Sequence, residues 1–188
     1  MIHNITGQYR NTLIRPLNDS DLESLRMWRN NSGMNKYLKK INEITPDMQL
    51  NWFKNYCLDK SIFTFAIDET NELKHIVGSI SIYDIHDTDA KIGKFLIGDE
   101  NAKGKKIGYY SLLLSLYIGF TKLGLNTIML DVHENNLPAY HNYEKAGFSV
   151  IGKHPFNNDG YELEMLLTKE QFFEIHDFTN EFVINNSN

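Results

Sequence analysis

Along this chain the apolar positions change period several times. "NTLIRPL" (11–17) is short and partly alternating, and reads as a strand. In "SDLESLRMWRNN", Ser20 and Glu23 have the Ser-x-x-Glu spacing of a capping box, and Leu22, Leu25 and Trp28 recur near helical spacing. A second helix is predicted over "TPDMQLNWFKNYCLD". Thr45 is its N-cap, Pro46 its first residue, and Leu50, Phe53 and Cys57 share one face, which makes Cys57 a small buried apolar residue rather than a nucleophile. "SIFTFAIDE" and "HIVGSISIYDI" alternate apolar and polar positions and are joined by the turn "TNEL". The next turn is "HDTD" (86–89), which leads into "AKIGKFLIG". It lacks the glycine and distant glutamate of a calcium loop, so no metal is expected there.

Ile107 to Leu123 is apolar on most sides and ends at Gly124, the pattern of a helix buried against a sheet. "NTIMLDVH" is a strand. "LPAYHNYEKAGF" is a short helix with Pro138 near its start and Gly147 just past its end. "FSVIGKH" and "YELEMLLT" are the closing strands, and "NNSN" reads as a frayed tail. The order β-α-α-β-β-β-α-β-α-β-β asks for a parallel crossover around the long helix and antiparallel pairing before it. The fold class expected is therefore α+β, a mixed sheet with helices packed on it.

The 188 residues suit one domain, with a core at about 11–168 and an extension at 169–188. With 41% hydrophobic and 12% aromatic residues the chain is not of disordered type. A net charge of -5 gives no case for nucleic-acid binding, so any basic patch must be local. The single cysteine rules out an internal disulfide framework. "MIHNITGQYR" has no apolar signal segment, and "SLLLSLYIGF" is too short to span a bilayer. No membrane partner and a cytoplasmic location are the expectation.

"AKGKKIGYYS" (102–111) breaks this bland picture. A helix N-terminus offers unpaired amides and about half a positive charge. Gly104 and Gly108 leave the backbone open, and Lys103, Lys105 and Lys106 add charge to an otherwise acidic chain. Neither the Walker pattern nor GxGxxG is present. On this segment alone an anion cradle and a lysine-rich cap are equally good readings.

"FLIGDENAKGKKIGYYS" followed by "VHENNLPAYHNYEKAGF" resembles the GNAT superfamily of acyl-CoA-dependent N-acyltransferases. The loop 103–108 matches the family run with lysine for the leading arginine and Lys106 for the middle glycine. The later motif matches at Val132, Asn136, Ala139, Tyr143, Lys145, Gly147 and Phe148. The resemblance implies a GNAT-like fold with a splayed parallel pair, "KFLIG" beside "IMLDV", and acetyl-CoA as co-substrate. Its pyrophosphate would lie on Lys103, Gly104, Lys105, Lys106, Ile107 and Gly108, and its pantetheine arm along Leu96, Ile97 and Gly98, with Asn136 as a further contact. The Leu96 amide would polarise the thioester carbonyl. Tyr143 would be the acid that meets the leaving thiolate. The base is not determined: Asp99, Glu100, Glu134, Asp84, His86 and His133 remain, and His133, at a strand end near the cleft, has the suitable intrinsic pKa.

"LRMWRNN" and "QLNWF" resemble the N-acetyltransferases of nucleotide-linked amino sugars, with Trp28, Arg29 and Asn30 as acceptor contacts. Both tryptophans read equally well as core anchors. The implied activity is acetyl transfer to a primary amine of a small molecule, an amino sugar on a nucleotide. The alternatives are an N-terminal acetyltransferase of the ribosomal-protein alanine type and a non-catalytic acyl-CoA-binding module. A polyamine acceptor and a homodimer also stay open.

Overall fold

The computed structural model describes residues 3–31, 33, 42–156, 160–177 and 182–186. Strands β1 (Ile5–Tyr9) and β2 (Thr12–Pro16) form a hairpin and lead through a 3-10 turn to helix α1 (Leu22–Asn30). Then come α2 (Pro46–Leu58), β3 (Phe63–Glu69), β4 (His75–His86), β5 (Asp89–Ile97), α3 (Ile107–Thr121) and β6 (Thr127–His133). The chain continues with α4 (Leu137–Ala146), β7 (Ser149–Pro155), β8 (Tyr161–Thr168), α5 (Lys169–Ile175) and β9 (Val183–Asn186).

These strands make one sheet, in the order β7-β8-β6-β5-β4-β3-β2-β1-β9. Only β5 and β6 run parallel, as expected for strands joined by the buried crossover α3. The architecture is the mixed α+β sheet that the periodicity asks for. Helix α3 covers one face. Its Leu112, Leu114, Leu116 and Ile118 are fully buried with Phe65, Ile80, Ile82 and Ile128. Helices α1 and α2 cover part of the other face through Leu22, Leu25, Phe53 and Tyr56, which pack with Leu17, Ile62 and Ala66. None of the described helices is long and apolar enough to cross a membrane.

Several local expectations change. The capping box before α1 is built by Asn18 and Asp21, not by Ser20 and Glu23. Ser20 donates to Asn18, and Glu23 pairs with Arg26 instead. Asp21 also receives Arg15, whose guanidinium bridges to Asp68 on β3 at 2.7 Å and so ties the entry of α1 to the sheet. Thr45 caps α2 as expected, accepting from the Met48 amide. The buried side of α2, however, is Gln49, Phe53 and Tyr56; Leu50 faces solvent.

The core also outruns 11–168, since Ile5 on β1 and Phe172 on α5 belong to the main cluster. The first two residues of "NNSN" are no frayed tail: Asn185 and Asn186 complete β9 opposite Thr6 and Ile5.

Candidate active site

Strands β5 and β6 pair only at Asp89–Lys91 with Thr127–Met129. Beyond that point β6 continues beside β8 while β5 continues beside β4, so a wedge opens between them. The cause lies in β5. Ser79 opposes Leu96 and Ser81 opposes Gly93, which leaves one extra residue in β5. Lys94, at φ 47°, takes the left-handed conformation of a bulge residue. A bulge bends its strand and adds twist, and here it falls where the parallel pairing ends.

The bulge also decides which backbone groups face the wedge. The Gly98 amide donates to the Val77 carbonyl at 2.8 Å, toward β4. Alternate residues of an antiparallel strand point the same way, so Leu96 also turns its polar groups to β4. Its carbonyl lies so close over Gly78 that a Cβ there would overlap it. The amide directed into the wedge is therefore that of Ile97, which corrects the expectation placed on Leu96.

The loop 98–106 turns the chain from β5 into α3. Gly104 (φ 76°) and Lys106 (φ 62°) are both left-handed. Lys106 is the N-cap of α3, and the Tyr110 amide bonds its carbonyl at 3.0 Å. Ile107, Gly108 and Tyr109 are thus left without an intrahelical acceptor, at the positive end of a 15-residue helix. The lysines divide. Lys103 pairs with Glu100 at 2.6 Å, and Lys105 pairs with Glu72 of the β3–β4 turn. Lys106 makes no ion pair with a described residue. His75 holds Asp99 at the loop's start at 2.7 Å and lowers the pKa of that carboxyl. An open backbone edge, a helix N-terminus and a left-handed turn fit a pantetheine amide chain and a pyrophosphate.

Around the wedge stand the other expected residues. Tyr143, on α4, is buried against Phe148. Burial pushes its hydroxyl pKa up, and that hydroxyl makes no hydrogen bond to a described residue. Asn136 occupies the N-cap of α4 but its side chain makes no cap bond, so its amide remains available to a ligand. His133 is buried, with its ring edge-on to Phe156. Its Nδ1 accepts the Asn135 amide at 3.1 Å, which engages the lone pair a base would use. This bond ties His133 to the turn between β6 and α4.

On the acceptor side, Trp28 is half-buried and its indole lies directly on Gly98; a Cβ there would overlap the ring. The ring therefore braces the end of β5. Arg29 is half-buried, and burial lowers its pKa. Asn30 binds the Ile44 backbone at both ends of its amide, at 2.9 Å each, and so holds the segment that enters α2.

Sequence reasoning missed a polar row on the sheet face opposite α3. Tyr83 reaches from β4 across Gly93. Lys91 on β5 bonds Asp131 on β6 at 2.9 Å, and His154 on β7 bonds the other oxygen of Asp131 at 3.2 Å. Burial alone would raise the Asp131 pKa, but these two partners outweigh it and lower it. Glu162 and Glu164 of β8 stand opposite His133 and Asp131. Burial, and then Asp131, push the Glu162 pKa up. The signal was present in "YELEMLLT", whose alternation puts both glutamates on the face away from Leu163, Met165 and Leu167.

The family model of the Acetyltransferase (GNAT) domain matches residues 11–149. Spermidine N(1)-acetyltransferase of Escherichia coli K12 is 26% identical over 170 residues, 87% of this chain and 89% of that protein. An uncharacterized protein of Methanocaldococcus jannaschii, MJ1062, is 27% identical over 165 residues, 85% of this chain; the match spans only 32% of that longer relative. Among solved structures, spermidine N-acetyltransferase of Vibrio cholerae in complex with CoA and spermine superposes with TM-score 0.76 at 20% identity, over 90% of this chain and 98% of that one. FdhC, a nucleotide-linked sugar GNAT in its apo form, gives 0.75 at 21% identity, over 93% and 94%. At these identities the structures speak for the fold.

Proposed function

This chain belongs to the GNAT acetyltransferase family, and on that premise we propose that it moves an acetyl group from acetyl-CoA to a primary amine of a small polycation of the polyamine class. The observation that carries this acceptor is the excess of carboxylates across β6 from the wedge, where Glu162 and Glu164 stand beside an Asp131 already paired with Lys91 and His154. A flexible polycation is attracted by such an excess, whereas a nucleotide phosphate is repelled by it. The similarity to a spermidine acetyltransferase over most of both chains supports the reading.

In this reading the amides of Ile107, Gly108 and Tyr109 and the Lys106 ammonium hold the pyrophosphate. Lys103 and Lys105 stay with Glu100 and Glu72 until a phosphate competes for them. The Ile97 amide points at the thioester carbonyl oxygen and stabilises the charge that develops there. Asn136 holds the pantetheine arm. Tyr143 keeps its proton and donates a hydrogen bond to the departing sulfur.

The second reading is a nucleotide-linked amino sugar, which rests on Trp28 and Arg29. It ranks lower because one face of the Trp28 ring is occupied by Gly98.

The test is an amine panel with acetyl-CoA, scored by free thiol. It contains spermidine, spermine, UDP- and TDP-amino sugars, and peptides with free N-termini. Turnover with polyamines is expected. Turnover with a sugar or a peptide alone would replace the acceptor. Thermal stabilisation by acetyl-CoA without thiol release towards any amine would mark a non-catalytic binding module.

A further inference from the structure

We propose that Glu162 is the general base of the transfer, with the exposed His154, its cross-strand partner on β7, as the titratable group between it and solvent. The proposal rests on the acetyltransferase reading and supplies the base it lacks.

Position is the first argument. The rung His133–Glu162–His154 crosses β6, β8 and β7 at the splayed end of β6, four residues past Met129, where β5 has already left. Glu162 therefore lies one strand from the wedge, across β6, at the level where β5 has left. The next rung, with Asp131 and Glu164, lies two residues closer to the point of closure.

Availability is the second. The Asp131 carboxylate is engaged at both oxygens by Lys91 and His154. The Glu164 carboxylate packs under Gly152, with Oε2 3.2 Å from where a Cβ would be. His133 has its Nδ1 engaged by Asn135. The half-buried Glu162 carboxylate makes no hydrogen bond or ion pair with a described residue. The charged and titratable groups facing this side are Tyr83 from β4, Lys91 from β5, Asp131 and His133 from β6, His154 from β7 and Glu164 on the same strand. Burial, and then the Asp131 charge, raise the proton affinity of Glu162 against the opposing pull of His154, His133 and Lys91, and a higher affinity favours taking a proton from an ammonium.

An exit route is the third. His154 is half-exposed and bonded to Asp131, the same carboxylate that raises Glu162. It offers a titratable outlet one strand away.

An alkylammonium, with a pKa near ~10.4, must lose a proton before its nitrogen can attack. The Glu162 carboxylate takes this proton and later releases it to water. The C–N bond then forms, and the second nitrogen proton leaves as the C–S bond breaks. The thiolate gains one proton, with Tyr143 hydrogen-bonded to it. Ammonium and acetyl thioester thus yield amide, thiol and one proton released to water.

The experiment is the pH–rate profile of wild type, Glu162→Gln and Glu162→Asp with acetyl-CoA and spermidine, or with whichever amine of the panel turns over. Wild-type turnover establishes the reading independently of this proposal. Glu162→Gln is expected to lower kcat by about 10²–10⁴-fold, the usual span for a general base, and to lose the acidic limb of kcat/KM. The KM for acetyl-CoA should stay unchanged. Glu162→Asp should recover part of the rate with the limb restored at a shifted pH. A Glu162→Gln enzyme within threefold of wild type, with the same acidic limb, overturns the proposal. If the glutamine variant does not fold, an unshifted acidic limb in Glu162→Asp overturns it equally.

Discussion

Lys106 holds a left-handed conformation (φ 62°, ψ 10°) at the N-cap of α3, where the family run has glycine. For a residue with a Cβ this costs about 1–2 kcal/mol. Glycine removes that strain but gives back about 0.4–1 kcal/mol through the greater freedom of its unfolded chain. Lys106→Gly should therefore be stabilised by about 0.5–1 kcal/mol, a rise in Tm of about 1–4 °C for a chain of this size. Lys106→Ala keeps the Cβ and the strain, and alanine is also a poor N-cap, so it should fall about 1 kcal/mol below the glycine variant. The same substitution removes the one loop ammonium that no described carboxylate holds. A unit charge about 4 Å from a phosphate is worth about 1 kcal/mol in water, so acetyl-CoA should bind about fivefold more weakly to both variants. That loss should shrink above ~0.1 M salt, where the screening length falls below ~10 Å. The assays are thermal melts without ligand and acetyl-CoA titrations at two ionic strengths. Stability and affinity should move in opposite directions for Lys106→Gly. A glycine variant no more stable than the alanine variant would refute the strain argument. Unchanged affinity at low salt would refute the role of the charge.

Gly98→Ala drives a methyl into the Trp28 indole and should cost about 1–3 kcal/mol by urea denaturation; combined with Trp28→Ala, much of that added cost should vanish, and strict additivity would deny the contact. His3 is buried and its pKa is lowered by that burial to about 4. Its neutral form is the one that suits the fold, so its contribution is complete above pH ~6.5 and is lost as pH falls towards 4, at about 1.4 kcal/mol per unit and about 3 kcal/mol in all. Stability measured at pH 7 and pH 4.5 should separate wild type from His3→Gln, and parallel curves would remove His3 as the cause. Tyr143→Phe should lower kcat about 10²-fold with the KM for acetyl-CoA kept, in line with loss of one donor aimed at developing charge, and unchanged turnover would end its assignment.

The parts of this fold legible in the sequence are those whose burial leaves a period. The crossover α3 and the alternating β3 and β4 are of this kind, because each must present an apolar face to the core. Strand β1 has polar Thr6 and Gln8 and a glycine between them, and β9 has two asparagines; Ile5, Tyr9 and Ile184 alone give these short strands an apolar side, too few to write a period. Helix α5 did carry a signal in Thr168 and Gln171, which form a reciprocal cap. At the site, the motif marked position 106 as one where the family run has glycine, and there the structure is left-handed. The bulge at Lys94 did not, since nothing in "KIGKFLIG" marks which residue goes unpaired, and that one residue moves the free amide from Leu96 to Ile97. Trp28 on Gly98 and the row around Asp131 join segments 70 and 40 residues apart or nearly so, distances over which one-dimensional spacing is silent.

Strand β9 closes the β1 edge by pairing Ile5 with Asn186. Nearly the whole chain separates the two, so this is the contact with the largest loop to close and belongs late in folding. Until it forms, β1 presents an unpaired edge in a protein whose centre is already assembled. A short C-terminal deletion should therefore spare the wedge and its chemistry yet leave a sticky species during synthesis, so the yield of soluble protein, more than the specific activity of what survives, would register the loss.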